Sequence, residues 1–425
     1  MKRASIIFAL LLFALAACSG NDGSSEQNES GDNNTLSVWA WNINVPVIEK
    51  AAEMFAEDHP GFELNIVETG TPDVYQKITT GLQAKGEGLP DVMLVEDDRL
   101  QGYLNSFPEA FVNLSEKGFA EDHMDKFPEY KTELLSKDGD MYGFPFDSGP
   151  AGVFYRVDLF EEAGIDANAI ETWDDFIEAG KVLRDELDVA LTGIDINNDD
   201  GVYRLMLNQQ GTFYFDEEGN VDLTSEESVK AMNVIQQLSE EGLNENLVGW
   251  DAWIGGLANG TVATAPSGAW LSGSLTGQAP DMEGQWGVFP LPAMEEGGNR
   301  AANLGGSNYM ISSNSEKVDL AYEFMEFFST SDEVQIFAME NGLFPSLNTI
   351  YTEDVFSEEV AYFNDQPIWT MFADLIEDVP YANYTGDYSL ARDEATKAQS
   401  RAADGSDPAE ALEEAAKQLE NRLNK

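Results

Sequence analysis

Carboxylates and aromatic rings are the groups this sequence offers a ligand in quantity. It holds 78 Asp and Glu, 24 Phe, 14 Tyr and 8 Trp, against 2 His and 1 Cys. Four consecutive polar residues, Glu96, Asp97, Asp98 and Arg99, follow the run Asp91–Val95. Such a turn can accept and donate hydrogen bonds from adjacent positions, or it can be a solvated acidic turn in an acidic chain. Paired carboxylates are also what a glycosidase requires on either side of a sugar bond. Other chemistries lack their motifs. There is no G-x-S-x-G elbow, phosphate-binding P-loop or zinc pattern, and His59 and His123 are far apart along the chain. The stretch Asp195-Ile196-Asn197-Asn198-Asp199-Asp200-Gly201 alternates oxygen ligands as a calcium loop does. Its sixth position is Asp200 rather than Gly, however, and its twelfth is Met206 rather than a bidentate Glu. It reads instead as a loop in which Asp199 or Asp200 caps a helix over Val202–Gln209. No metal or cofactor is expected.

The elements that position these residues follow from periodicity. Thr35–Trp41 is β-branched and aromatic, a strand. Val45–His59 carries Val47, Ile48, Ala51, Ala52 and Phe55 at helical spacing and stops at His59-Pro60-Gly61. Phe62–Val67 is a second strand, Asp73–Ala84 a second helix, and Asp91–Val95 a short apolar strand of the buried parallel kind. Alternation of this sort makes a parallel sheet covered by helices, with ligands expected beyond the carboxyl ends of the strands.

The chain's one cysteine speaks to compartment. Lys2 and Arg3 precede an apolar run, Ile6–Ala17, which ends in Leu15-Ala16-Ala17-Cys18. A charged start, a short apolar stretch and small residues before a cleavage point make a secretory signal over residues 1–17, and the ending resembles the lipobox at which a cysteine is acylated. Residues 18–34 are then an acylated Cys18 and a polar tether that cannot bury enough apolar surface to fold. This predicts a soluble protein at the extracellular face of the membrane, touching the membrane only through its lipid.

Charge narrows the partners. With 23 Lys and Arg the chain carries a net −55, and loss of Lys2 and Arg3 with the signal leaves −57. Nucleic acid and anionic lipid surfaces share that sign and are excluded as partners. The simplest account is a solvated acidic shell suited to a salty or alkaline medium. The 43% hydrophobic and 11% aromatic content still suffices for a large core, and about 390 residues beyond the tether imply two domains.

Ordered blocks along the chain carry a resemblance. Val38-Trp39-Ala40-Trp41-Asn42, His59-Pro60 and Leu89-Pro90-Asp91-Val92 open it. Tyr142-Gly143-Phe144-Pro145-Phe146-Asp147, Glu171-Thr172-Trp173-Asp174-Asp175-Phe176, Gly268-Ala269-Trp270, Trp286-Gly287-Val288-Phe289-Pro290, Gly305-Gly306-Ser307 and Gly342-Leu343-Phe344-Pro345-Ser346 continue it. The set resembles an extracellular solute-binding protein of a carbohydrate ABC importer. It is most similar to the lactose and arabino-oligosaccharide branch through Leu94-Val95-Glu96-Asp97, Phe146-Asp147-Ser148-Gly149 and Asn303-Leu304-Gly305-Gly306-Ser307. It departs in having Asn308-Tyr309 where a Ser-Trp pair is common.

The resemblance implies an α/β, two-lobed periplasmic-binding-protein-like fold, each lobe a mostly parallel sheet flanked by helices, with hinge crossings between lobes. Lobe 1 would take 35–146 plus 303–350, and lobe 2 would take 147–302 plus 351–425. Tyr142–Phe146 and Asn303–Ile311 are extended, glycine-bearing segments that suit the crossings. A final helix, Ala409–Leu423, has the apolar stripe of a packing helix.

On this reading a neutral di- or oligosaccharide lies in the cleft, its C–H faces against aromatic rings and its hydroxyls paired with carboxylates, amides or guanidinium groups. Trp41 and Asn42 close the first strand and would face it. One or two of Glu96, Asp97, Asp98 and Arg99 would take hydroxyls, and Asp147 is the leading polar candidate of the second lobe. Trp270, after small residues that permit close approach, is the leading platform. Trp250 and Trp253 could be platform or core. Gly305, Gly306 and Ser307 offer backbone amides, though a tight crossing alone would also require the glycines. Tyr384 and Tyr388 are lid candidates. The expected partners are the sugar and the importer's permease subunits, and the protein is expected to be a monomer that binds without turnover. A secreted glycosidase and a surface adhesin are the alternatives from other classes.

Overall fold

A computed structural model describes residues 34–424. The expected signal peptide, Cys18 and nearly all of the tether lie outside these residues. Strand β1 (Thr35–Ala40) buries Leu36, Val38 and Ala40 on alternate positions, as a half-buried strand must. The chain then turns through Asn42, whose φ of +49° is left-handed, into α1 (Asn44–Asp58). The Asn44 amide donates to the Trp41 carbonyl at 3.0 Å and fixes that turn. β2 (Glu63–Glu68), α2 (Thr71–Gln83) and β3 (Val92–Glu96) follow in the expected order. β3 runs into α3 (Asp97–Ser106) with no intervening loop, so two acids, Asp97 and Asp98, occupy the first turn, where unpaired N–H groups favour negative charge.

After a small hairpin, β4 (Ser136–Lys137) with β5 (Asp140–Met141), comes β6 (Phe144–Arg156), a long strand buried along almost its whole length. The remaining strands are β7 (Ala190–Gly193), β8 (Asn244–Glu245), β9 (Val262–Gly268), β10 (Trp286–Pro290), β11 (Asn303–Ile311) and β12 (Phe344–Pro345). The sheet order is β2-β1-β3-β11-β6-β9-β7-β8, with β10 and β12 also pairing β6. β1 pairs β2 and β3 in parallel, and β7 pairs β8 and β9 in parallel. Antiparallel β11 and β6 join the two groups.

Of the first expected crossing, Tyr142–Phe146, only Phe144–Phe146 is strand, and it begins the longer β6. The Phe144–Pro150 part of β6 pairs β11, and its Ala151–Tyr155 part pairs β9. β12 adds a third strand at the junction, beside Asp147 and Ser148. The register of β11 shifts at Gly305 and Gly306, whose φ values of +92° and +97° require glycine.

The junction is held by a buried ammonium group. Lys131, from the helix Glu129–Leu134, is fully buried and donates to the Asp97 carboxylate, to the Asp147 carbonyl at 2.6 Å and to the Ser307 carbonyl at 2.9 Å. Asn308 donates to the other Asp97 oxygen at 3.0 Å. Ions removed from water need such complete pairing to offset the desolvation cost.

In the second group, Asp200 stands at the N-cap position of the helix Gly201–Gln209, as expected, and its carbonyl accepts from Arg204 N at 2.9 Å, but its side chain makes no capping bond. Asp200 is fully buried and accepts instead from Arg204 Nε at 3.0 Å, Arg392 Nε at 3.3 Å and the Tyr214 hydroxyl. Asp199 pairs with Arg392 at 3.0 Å. Charged donors hold a carboxylate more strongly than one backbone N–H does. The helices Tyr388–Ala403 and Pro408–Leu423 pack on each other and on Glu226–Glu240, the last burying Ala411, Leu412, Ala415 and Leu419. Among the described residues no helix is long and apolar enough to cross a membrane.

Candidate ligand-binding cleft

Three tryptophans from two neighbouring elements converge near the carboxyl end of β9. Trp270 follows that strand, while Trp250 and Trp253 sit on the first turn of the helix Trp250–Asn259. Ring centroids are 5.6 Å apart for Trp250 and Trp253, 6.1 Å for Trp250 and Trp270, and 6.3 Å for Trp253 and Trp270. Trp250 is 45% exposed and the other two are half-buried, so this is an open aromatic surface and not a closed core. Trp270 is oriented by its indole N–H, which donates to the Leu304 carbonyl of β11 at 2.8 Å. A Cβ on Gly305 would lie 2.9 Å from that nitrogen, and one on Gly268 only 2.5 Å, so both glycines are needed for the indole to lie where it does.

At the other end of the Leu304–Ser307 stretch stands the turn after β3, since Ser307 pairs with Glu96. Here the four polar residues part company. Glu96 accepts from the Tyr75 hydroxyl at 2.7 Å; burial first, and then neighbouring Asp98, raises its carboxyl above the usual range. Asp97 is buried and occupied by Lys131 and Asn308, and burial raises it against the pull of Lys131. Asp98 keeps a buried oxygen without a hydrogen-bond partner, 3.3 Å from Arg99 Nε, which likewise lacks one. Arg99 lies over the Tyr75 ring at 5.0 Å, and Tyr75 meets Trp41 edge-on at 6.1 Å. Trp41 is buried and Asn42 exposed.

Asp147 is buried at the junction with one oxygen unpartnered. Burial pushes its carboxyl up to about 7, with Lys131 opposing. Tyr384 and Tyr388 are buried too, in an aromatic cluster with Phe213 and Tyr214, and Tyr388 accepts from Arg204 at 2.8 Å. The structure therefore gathers Trp250, Trp253 and Trp270 on one side, Trp41, Glu96, Asp98 and Arg99 on the other, and Gly305–Ser307 between. Asp97 and Asp147 go to the Lys131 junction, and Tyr384 and Tyr388 to the core beside Arg204. Sequence reasoning passed over Tyr75, Lys131, Arg204 and Arg392. The two arginines carried a usable signal, since bases are scarce in this chain and each helical one needs an acidic partner when buried.

This architecture is that of two-lobed sugar-binding proteins. The ABC transporter associated binding protein from B. animalis subsp. lactis Bl-04, solved with β-1,6-galactobiose, superposes with a TM-score of 0.78 at 26% identity, covering 91% of this chain and 97% of that one. The sugar-binding protein MalE of Xanthomonas citri shares the fold at a TM-score of 0.75 and 19% identity, with 92% and 97% covered. The family model for bacterial extracellular solute-binding proteins matches residues 41–335, and the chain belongs to that family. It is similar to a lactose-binding protein of Rhizobium radiobacter, 35% identical over 363 residues, 82% of this chain and 83% of that one. An arabinooligosaccharide-binding protein of Bacillus subtilis (strain 168) is 28% identical over 344 residues, 78% of each. These are binding proteins and not enzymes, and they lend nothing to the glycosidase alternative.

Proposed function

We propose that this chain is the substrate-binding lipoprotein of an ABC importer and takes a neutral di- or oligosaccharide of the galactoside or arabino-oligosaccharide kind. Lobe 1 comprises 35–146 and 303–350, lobe 2 comprises 147–302 and 351–425, and the ligand lies between them. The observation that carries the reading is the open three-tryptophan surface joined, through Leu304–Ser307, to the first turn of α3, where Asp98 is ion-paired with Arg99 at 3.3 Å and makes no hydrogen bond through that buried oxygen. Consecutive rings suit the C–H faces of consecutive sugars, and Asp98 with Arg99 supplies an acceptor and a donor for hydroxyls. The relatives' ligands support the same class: lactose, arabino-oligosaccharide and β-1,6-galactobiose.

Closure about β6 and β11 lets residues of both lobes hold one ligand, and the permease then receives the closed form. Cys18 carries the acyl anchor that keeps this monomer at the extracellular face, and the acidic surface adapts it to salt. Titration calorimetry with galactosides, arabino-oligosaccharides and an anionic sugar is the test. Binding confined to the neutral oligosaccharides is expected; tight binding of the anionic ligand alone would sink the assignment.

A further inference from the structure

The segment ahead of the helix Tyr388–Ala403 touches the opposite half of the molecule. The helix itself is tied to the second strand group: Gln399 donates to the Ile196 and Asp199 carbonyls at 3.0 and 2.8 Å, and Arg392 is held by Asp199 and Asp200. Its first turn nevertheless meets α3, which follows β3 in the other group. Arg99 donates to the Ser389 hydroxyl at 3.0 Å. Backbone approaches there as well, for a Cβ built on Gly386 would lie 3.2 Å from the Asn105 Cβ, and one on Gly102 would lie 3.6 Å from the Gly386 carbonyl oxygen.

The charge distribution gives this contact a purpose. The first lobe as proposed holds 28 acidic and 9 basic residues, net −19, and the second, without the tether, holds 46 and 12, net −34. Bringing them together is opposed by their like charge. At this seam, however, Arg99, Arg204 and Arg392 gather among Glu96, Asp98, Asp199 and Asp200, and the charge of Arg392 reaches Glu96 on the other side.

We propose that Asn383–Arg392 is a clasp, closing along α3 through Arg99–Ser389 in its first turn and Gly386–Asn105 in its last, and that this contact forms only when the lobes close. The inference rests on the two-lobed reading given above. It states which segment latches the closed form, and it puts the latch where Arg204 and Arg392 already pair with Asp199 and Asp200, so that the like charge of the two lobes opposes contact least.

A disulfide tests it. A pair with Cβ atoms about 3.5–4.5 Å apart can be bridged, so Asn105→Cys with Gly386→Cys lies within a small adjustment of the required geometry, and Gly386 has no left-handed φ to forbid a side chain. The variant is made in the mature chain with Cys18→Ser so that no other thiol competes. Small-angle scattering without sugar should give a smaller radius of gyration for the oxidised protein than for the same protein reduced. Equal radii would overturn the clasp, because the contact would then be permanent. With lactose or an arabino-oligosaccharide that the reduced variant binds, cross-linking should run at least about tenfold faster, and the oxidised protein should release the sugar at least about tenfold more slowly. If oxidation compacts the protein but no neutral sugar binds either form, the sugar assignment falls and the clasp stands.

Discussion

Replacing Trp270 by alanine removes an aromatic ring that a hydrogen bond fixes to β11 at the strand junction. The indole makes one hydrogen bond, to the Leu304 carbonyl at 2.8 Å, and two ring contacts, with Trp250 and Trp253. The hydrogen bond contributes about 1 kcal/mol and each ring contact about 0.5–1.5 kcal/mol, all of it to stability and none directly to affinity. The ligand term is separate. Covering the exposed part of a half-buried tryptophan with a sugar face, and losing the platform on which Trp250 leans, is worth on the order of 3 kcal/mol, about a hundredfold in dissociation constant. Trp270→Phe keeps a ring and loses the N–H donor, so it should cost about 1 kcal/mol of stability while affinity stays within a few-fold. Asp98→Asn removes part of one hydroxyl contact and should weaken binding about tenfold, less than Trp270→Ala. Titration calorimetry on the three variants, with denaturant unfolding alongside, separates the terms. Unaltered sugar affinity in a folded Trp270→Ala protein would remove this residue from the site and with it the platform argument.

Lys131→Ala should destabilise the fold by about 3–5 kcal/mol, because Asp97 is left buried beside two carbonyls that also lose their donor. Urea unfolding checks this, and a loss under 1 kcal/mol would mean that water replaces the ammonium. Asp147 should make stability fall with rising pH. Its folded-state pKa of about 7 lies above the ordinary carboxyl value, so its contribution is complete below about pH 4 and is lost as pH rises through about 7. Asp147→Asn should therefore gain thermal stability over the parent progressively between pH 4 and pH 8, and a constant difference across that range would contradict it. Finally, the net −55 should make the thermal midpoint rise between low and molar sodium chloride, as the screening length shrinks from about 10 Å at 0.1 M to about 3 Å. A midpoint that falls would refute the self-repulsion argument.

The sequence by itself determined the local elements and the class of fold. Alternate burial in Thr35–Ala40, the apolar stripe of Asn44–Asp58 and the continuous run of Val92–Val95 are properties of neighbours within a few residues, so their periodicity is legible without contacts. The ordered blocks from Trp41 to Ser346 likewise pointed to the family that the comparisons establish. Only the tertiary structure decided how adjacent residues divide their work. Glu96, Asp97 and Asp98 look alike in the chain, yet one meets Tyr75, one meets Lys131 and Asn308, and one is ion-paired with neighbouring Arg99. Their partners lie as far as 211 residues away along the chain, for Asp97 and Asn308. The same holds for the side chain of Asp200, which local preference would assign to a helix cap and which Arg204, Arg392 and Tyr214 take instead. A buried carboxylate goes to whichever charged donors the packing brings within reach, and which donors those are is set by strand order and crossing geometry rather than by the residues beside it.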